Sequence, residues 1–525
     1  MNKEHIFNTF QSINTPKILK NTNTNTNTLN TYLGQKGYTL LKKELTIEQQ
    51  TFIKNELTVK PCSPGMMQQN IKSFPAFRES DKKIYVPRYF GVAHFGEATE
   101  NKICKGDDIN LYFNGELREN QIPVVTNFLE HIQKNNTGGG LLDLPCAFGK
   151  TSLSLYILSK IQKKTLVIVH KEFLMNQWIE RIQQFLPSAR IGKIQGQVID
   201  IENKDIVLGM LQSLSMKDYP ATMFDSFGLT IIDEVHHISS EVFSCALFKL
   251  VTNYMLGLSA TMNRKDGTSH IFKMFLGDII HKEVRGKDDA VLVRAIEYES
   301  NNDEFNTVEY DFRGKVKYST MICKLCEYSR RSEFIITIIT DMIKENNKQQ
   351  LMVIAHNKNV LKYIHDAIQH RQIATVGYYI GGMKEAALKE SESKQVIIAT
   401  YSMAAEALDI KTLTTLVMVT PKTDIEQAVG RILRAKHTMP IVVDIIDQHD
   451  TFQNQWKKRK AYYVKNNYKI IQTSSVTYDT DITKWDVIYE PGAKRCSSNR
   501  APPRIKPNSE EALQGKCLIK IKKQD

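Results

Sequence analysis

From Leu117 onward, short runs of β-branched and aliphatic residues alternate with stretches whose apolar positions recur at helical spacing. Runs apolar on both faces are the mark of buried parallel strands, and their alternation with helices is the repeating unit of an α/β sheet. The pattern predicts strands at 141–144, 165–169, 205–209, 229–232 and 254–258, then a second set at 351–355, 396–400, 414–420 and 441–446. A charged, strand-poor stretch separates the two sets. The expected fold is therefore α/β, with two tandem parallel-sheet lobes at 116–285 and 318–450 joined by a linker at 286–317.

Upstream the pattern is mixed. Residues 38–41 and 84–90 read as strands and 46–57 as a helix, which predicts a small accessory α/β domain at 37–115. Residues 21–27 alternate Asn with Thr and have nothing apolar to bury, so 1–36 is predicted to be a disordered leader. A chain of 525 residues exceeds what one core usually supports, which agrees with several domains. No apolar run is long enough to cross a bilayer, and the first residues lack the apolar segment of a signal peptide. Eight cysteines without a regular framework fit reduced thiols, so the expectation is an intracellular protein with no membrane partner. The net charge is +13, and residues 451–525 hold 16 Lys and Arg against 7 Asp and Glu. This basic C-terminal extension reads either as a phosphate-backbone contact or as a solvated tail.

Two pieces of chemistry sit on this framework. Phe148-Gly149-Lys150-Thr151 follows the predicted strand 141–144 and opens a helix whose Leu153, Ile157 and Ile161 repeat at helical spacing. Backbone N–H groups around Ala147, Phe148 and Gly149 are expected to face phosphate oxygens, with Lys150 adding charge and Thr151 a hydroxyl for Mg²⁺. Asp233 and Glu234 emerge at the carboxyl end of the apolar run 229–232, where ligands bind in such sheets. Asp233 is suited to holding a metal and Glu234 to activating water. Either motif alone has a plain reading, a chance triplet or a solvated turn. Together they predict a nucleotide-hydrolysing site that takes ATP and Mg²⁺. Weaker signals are Cys323-x-x-Cys326, which lacks a second pair and reads as packing, and Trp178, which reads as packed rather than base-stacking. Tyr462, Tyr463 and Tyr468 lie among Lys457, Lys458, Arg459, Lys460 and Lys465. They fit a base-stacking strip and a capping helix equally well.

The ordered motifs from Leu117 to Ile446 resemble those of superfamily 2 helicases and translocases. Leu117 to Gln121 resembles the adenine-meeting segment, implying Gln121 as the reader, and Leu144 to Thr151 resembles motif I. Val169-His170-Lys171 through Asn176-Gln177-Trp178 resembles motif Ia, and Gly209 to Ser213 the next nucleic-acid contact, implying His170, Gln177 and Ser213 at the polymer. Asp233 to His236 resembles the DExH form of motif II. Ser259-Ala260-Thr261 resembles motif III, implying that Ser259 and Thr261 couple hydrolysis to movement. Ile398 to Tyr401 with Glu406 to Ile410 resembles motif V, implying Thr400 on a backbone phosphate and Asp409 toward the nucleotide. Gln427 to Arg434 resembles motif VI, implying Arg431 and Arg434 as arginine fingers. A guanidinium supplied from the opposite lobe makes hydrolysis depend on closure.

The segment 256–267 is similar to the branch holding excision-repair translocases and phage recombination helicases. Other features bring the chain near the helicases of large cytoplasmic DNA viruses, including the poxvirus transcript-release type. The resemblance implies two RecA-like lobes, ATP and Mg²⁺ as cofactors, and a nucleic-acid track with DNA ahead of RNA. It also implies transcription or repair proteins as partners, and host cytoplasm or virion as the location. Ala147 and Ala407 depart from the pattern, which usually has Gly at each place. Two rivals make opposite predictions: a P-loop enzyme on a small substrate is not stimulated by nucleic acid, and a scaffold is unchanged by Glu234→Gln.

Overall fold

The computed structural model describes residues 29–492 apart from 61–72, 135–137, 239–240, 261, 263–266, 285, 287–289, 407–409 and 436. The Asn-Thr tract, residues 493–525 of the basic extension, Thr261, Ala407 and Asp409 lie outside the described residues. The first ordered unit is a small sheet built on the hairpin Thr31–Gly34 (β1) and Gly37–Leu41 (β2). Thr58–Val59 (β3) pairs with Phe74–Pro75 (β4) beside it, and Arg78–Glu79 (β5), Lys83–Val86 (β6) and Glu100–Asn101 (β7) complete the sheet in the order β5-β6-β2-β1-β7. Strand β1 corrects the predicted leader: the burial of Leu33 and its register against Tyr38 fix order upstream of residue 37.

The helix Ile47–Glu56 begins where the sequence supplies a reciprocal cap. Thr46 Oγ1 accepts from the Gln49 N–H at 3.1 Å, and Gln49 Oε1 accepts from the Thr46 N–H at 2.9 Å. The helix Arg88–Phe95 joins this unit to the next. Its Tyr89 hydroxyl donates to the Gly139 carbonyl at 3.2 Å, and Leu33, Tyr38 and Ile84 belong to the same apolar cluster as Ile168, Val207 and Phe272. The accessory segment thus shares a core with the first lobe.

Gly138–Asp143 (β8), Thr165–Val169 (β9), Ile191–Gln195 (β10), Val198–Asp200 (β11), Ile206–Met210 (β12), Leu229–Ile232 (β13), Tyr254–Ser259 (β14) and Ile279–Lys282 (β15) form the first large sheet. Its order is β11-β10-β12-β9-β13-β14-β8-β15, parallel except for the β10/β11 edge hairpin. The central strands are apolar at almost every position because helices cover both faces.

The second large sheet holds Leu292–Tyr298 (β16), Gln350–Ala355 (β17), Val376–Tyr379 (β18), Val396–Thr400 (β19), Leu413–Met418 (β20), Ile441–Asp447 (β21), Lys469–Ser474 (β22) and Asp486–Tyr489 (β23). Its order is β18-β19-β17-β20-β21-β16-β22-β23, with only β23 antiparallel. Both lobes are RecA-like parallel-sheet units. Two predicted boundaries need correction. Strand β16 lies inside the predicted linker yet sits between β21 and β22. Its Arg294 is tolerated in the core because Glu345 neutralises it through contacts of 2.7 and 2.6 Å.

The helix Asp450–Lys465 and strands β22 and β23 likewise belong to the second lobe rather than to an independent tail. Arg459 is buried against Asp444 at 2.8 and 2.9 Å, and the Tyr463 hydroxyl donates to the same carboxylate at 2.9 Å. The aromatic and basic residues there form a capping helix; the alternation arises because one face packs while Lys457, Lys458 and Lys465 meet solvent. Cys323 and Cys326 share the helix Tyr318–Glu327, where burial pushes the Cys326 thiol up to about 12.

Candidate active site

Strand register decides which side chains meet. Asp143 at the end of β8 pairs with Ser259 at the end of β14, and Ile232 at the end of β13 lies between Gly257 and Ile168. The phosphate loop, the acid pair and Ser259 therefore leave the first sheet along one edge. Gly149 caps the helix Lys150–Ile161 in the left-handed region (φ +86°), and a Cβ there would lie 2.7 Å from Gln121 Nε2 and 2.9 Å from Arg118 Nη2. Only glycine combines that turn with that approach. Ala147 is also left-handed (φ +64°), so the methyl that departs from the family pattern carries backbone strain.

Gln121 is buried against the loop. Its Nε2 donates to the Phe148 carbonyl at 2.8 Å and its Oε1 accepts from the Arg118 N–H at 3.0 Å, while Arg118 Nη2 also donates to Phe148. The carboxamide thus clamps the loop. Phe148 departs from expectation: its N–H donates to the Pro145 carbonyl at 3.3 Å, because the loop closes a tight turn on itself.

Lys150 Nζ lies 3.5 Å from Glu234 Oε1. Burial favours a neutral amine, yet the neighbouring acids, Glu234 foremost and then Asp233, outweigh it and hold the ammonium above its ordinary value. Asp233 is raised by burial and by repulsion from Glu234, opposed by Lys150, a Trp178 hydrogen bond and His170. Glu234 occupies the left-handed region (φ +51°), a strain typical of functional turns. His236 Nδ1 lies 3.4 Å from Glu234 Oε2 and 3.1 Å from Ser259 Oγ, which ties the acid pair to the end of β14.

Trp178 is a residue that sequence reasoning missed as part of the site. It is 1% exposed, and its indole N–H donates to Asp233 Oδ2 at 3.0 Å, fixing the carboxylate from behind. No spacing signal ties residue 178 to 233; the contact exists because β9 and β13 are neighbours.

The second lobe completes the site. A cavity of ≈ 960 Å³, at the upper end of ligand-pocket sizes, is lined by Lys150, Thr151, Asp233 and Glu234 from one side and by Arg431 and Arg434 from the other. Arg431 is aimed by its backbone anchor, Nε donating to the Ala404 carbonyl at 2.7 Å. Gly430 sits so close to the phosphate loop that a Cβ would lie 2.9 Å from Cys146 Cβ. Two polar contacts clasp the lobes beside the cavity: Lys389 Nζ to Glu180 at 2.6 Å and Asn176 Nδ2 to Glu385 at 2.7 Å.

Comparison with known proteins agrees with this geometry. A family model described as "Type III restriction enzyme, res subunit" matches residues 114–264. The chain is 34% identical over 456 residues to "Putative ATP-dependent RNA helicase L396" of Acanthamoeba polyphaga mimivirus, covering 85% of this chain and 87% of that protein. This chain belongs to the superfamily 2 helicases related to those of large DNA viruses. It is also similar to "Putative ATP-dependent RNA helicase QP509L" of African swine fever virus, 26% identical over 389 residues, covering 69% of this chain and 76% of that one. With "Putative helicase 161L" of Invertebrate iridescent virus 6 it shares 25% over 384 residues, covering 69% and 85%. The helicase hydrolyses ATP and binds nucleic acid.

The residues expected at the helicase's polymer surface divide. Thr400 stands half-buried at the end of β19, and half-buried Ser213 accepts from the Gly196 N–H at 3.0 Å after β12. His170 is buried just after β9, beside Asp233, whose ionised form it favours. Gln177, on the helix Glu172–Phe185, lines the cavity between the lobes. No described helix of the helicase is long and apolar enough to cross a membrane.

Proposed function

We propose that this helicase hydrolyses ATP·Mg²⁺ in the cavity between its lobes and uses the resulting opening and closing to move along nucleic acid, with DNA as the track. The observation that carries the proposal is the joint lining of one cavity by Lys150, Thr151, Asp233 and Glu234 from the first lobe and Arg431 and Arg434 from the second. Lys150 and the start of its helix hold phosphates, with Gln121 keeping the loop in place and adenine meeting the same segment. Asp233, oriented by Trp178, and the Thr151 hydroxyl are hard oxygen donors. That donor set fits Mg²⁺, which usually takes one or two protein ligands and completes its shell with phosphates and water. When bound, the ion neutralises charge on the phosphates.

Glu234, held near Lys150 and His236, orients and deprotonates the attacking water. Arg431 and Arg434 meet charge that develops on the transferring phosphoryl group, so hydrolysis requires both lobes. Ser259 passes the state of the acid pair to the sheet edge through His236, and Thr261 and Asp409 take the coupling and nucleotide-side roles that their motifs imply. Ser213 and Thr400 grip the phosphodiester backbone, which predicts weak sequence preference and strong salt dependence. The accessory segment, fused to the first lobe, and a role in viral transcription, repair or recombination complete the reading.

RNA is the second reading for the track, supported by the names of two relatives, the mimivirus and African swine fever virus proteins, each described as a "Putative ATP-dependent RNA helicase". The test is ATP hydrolysis by the wild type and Lys150→Ala with single-stranded DNA, duplex DNA or RNA added separately. Stimulation of the wild type alone supports the motor, and the most effective polymer names the track. If no polymer raises the wild-type rate, the motor reading fails.

A further inference from the structure

An exposed aromatic turn precedes the helix Tyr318–Glu327 in the second lobe. Phe312 is 90% exposed and Tyr310 55% exposed, on a turn closed by the Tyr310–Val316 antiparallel bridge. The turn is rigid. The Asp311 N–H donates to the Lys315 carbonyl at 2.7 Å and the Lys317 N–H to the Glu309 carbonyl at 2.8 Å. Asp311 Oδ1 accepts from the N–H groups of Lys315 and Arg313, each at 2.9 Å, and those bonds hold its carboxyl below the usual range. The acid is thus occupied within the turn, whereas the side chains of Arg313, Lys315 and Lys317 are exposed beside Phe312.

The turn is anchored at the carboxyl edge of the second sheet. The Tyr318 hydroxyl donates to the Pro421 carbonyl at 3.2 Å, and Asn357 Nδ2 donates to Cys323 Sγ at 3.4 Å. Pro421 follows β20 and Asn357 follows β17, whose terminal Ala355 pairs with Thr400 at the end of β19. The turn therefore rises from the edge that carries Thr400.

We propose that the turn 310–317 is a binding site for single-stranded nucleic acid, with one unpaired base stacked on the Phe312 ring and the flanking phosphates met by Arg313, Lys315 and Lys317. A solvent-exposed ring beside cations, with the Arg313 guanidinium 4.8 Å from its centroid, is what a strand with splayed bases recognises, and stacking tolerates any base. A duplex offers no free base face. The inference rests on the helicase reading above and adds a contact that its motifs do not contain.

Fluorescence anisotropy with labelled oligo(dT) and oligo(U) tests it, with a blunt duplex of equal length as control. Phe312→Ala should weaken binding to at least one single strand about tenfold, within the range for loss of one stacked base, and leave duplex binding unchanged. In Phe312→Trp, affinity should be retained and the added indole quenched by the oligonucleotide, above the background of buried Trp178, Trp456 and Trp485. Arg313→Ala with Lys315→Ala should flatten the salt dependence by up to about two phosphate contacts. Unchanged single-strand affinity in Phe312→Ala, equal loss on the duplex, or no quenching in Phe312→Trp overturns the proposal. Wild-type ATPase stimulation in the same samples separates the failures. With stimulation present only the role of the turn falls, and with no stimulation or binding by any polymer both fall.

Discussion

Trp178→Phe isolates the least expected contact of the site. The indole N–H donates to Asp233 Oδ2 at 3.0 Å in a nearly sealed environment, so phenylalanine keeps most of the packing but removes the donor. A hydrogen bond to a charged group contributes about 1.5–3 kcal/mol, and the carboxylate left behind cannot recover it from bulk water. The same bond opposes the burial and Glu234 repulsion that raise Asp233, so its loss raises the carboxyl further. The variant should need about ten times more Mg²⁺ for half-maximal hydrolysis, the equivalent of about 1.4 kcal/mol. The acid limb of its rate profile should move to higher pH. The assay is steady-state ATP hydrolysis across a Mg²⁺ series at several pH values, and unfolding free energies of Trp178→Phe, Asp233→Asn and the double variant close a thermodynamic cycle on the contact itself. If Trp178→Phe lowers the melting temperature but leaves the Mg²⁺ and pH dependence at wild-type values, the indole serves packing alone and the reasoning is wrong.

Three further outcomes follow from particular contacts. Gly430→Ala places a methyl against Cys146 Cβ and should cost the closed arrangement about 1–3 kcal/mol; stimulated hydrolysis drops, and Cys146→Gly in the same chain restores it, as a turnover assay would read. Because the folded Asp233 carboxyl lies above its ordinary value, it contributes stability below the unfolded value that is lost as pH rises through the folded one. Asp233→Asn should therefore raise the melting temperature of nucleotide-free protein at neutral pH while abolishing hydrolysis, and added Mg²⁺ should shift the wild-type acid limb downward. Arg331 and Asp447 form a fully buried pair at 2.6 and 2.8 Å, so Arg331→Met strands a carboxylate and should destabilise the second lobe by about 3–5 kcal/mol, measurable by denaturant unfolding.

The two parallel sheets were legible because their central strands are apolar at almost every position, a pattern that needs no tertiary information. Leu229–Ile232 and Val396–Thr400 are of this kind. Strand β16 was not legible, since Arg294 and Glu297 break its pattern and only Glu345, on the helix Ser329–Glu345, makes Arg294 admissible in a core. The same cause hid the nature of the Asp450–Lys465 helix. Arg459 reads as a surface cation until Asp444 on β21 is seen beside it. Arg294 and Arg459 each find their carboxylate on another element, so local composition mistakes them for solvent-exposed cations.

By itself, the sequence determined that this is a two-lobed α/β protein with a phosphate loop and an acid pair, because both motifs are local and attached to strongly patterned strands. It also singled out Arg431 and Arg434 through a local motif. Only the tertiary structure decided that these arginines share a cavity with Lys150, that Trp178 stands behind Asp233, and that His170 is buried while Gln177 lines the cavity between the lobes. Those facts depend on strand order and on how one lobe faces the other. Both are set by packing between residues far apart in the chain, and local pattern carries no record of them.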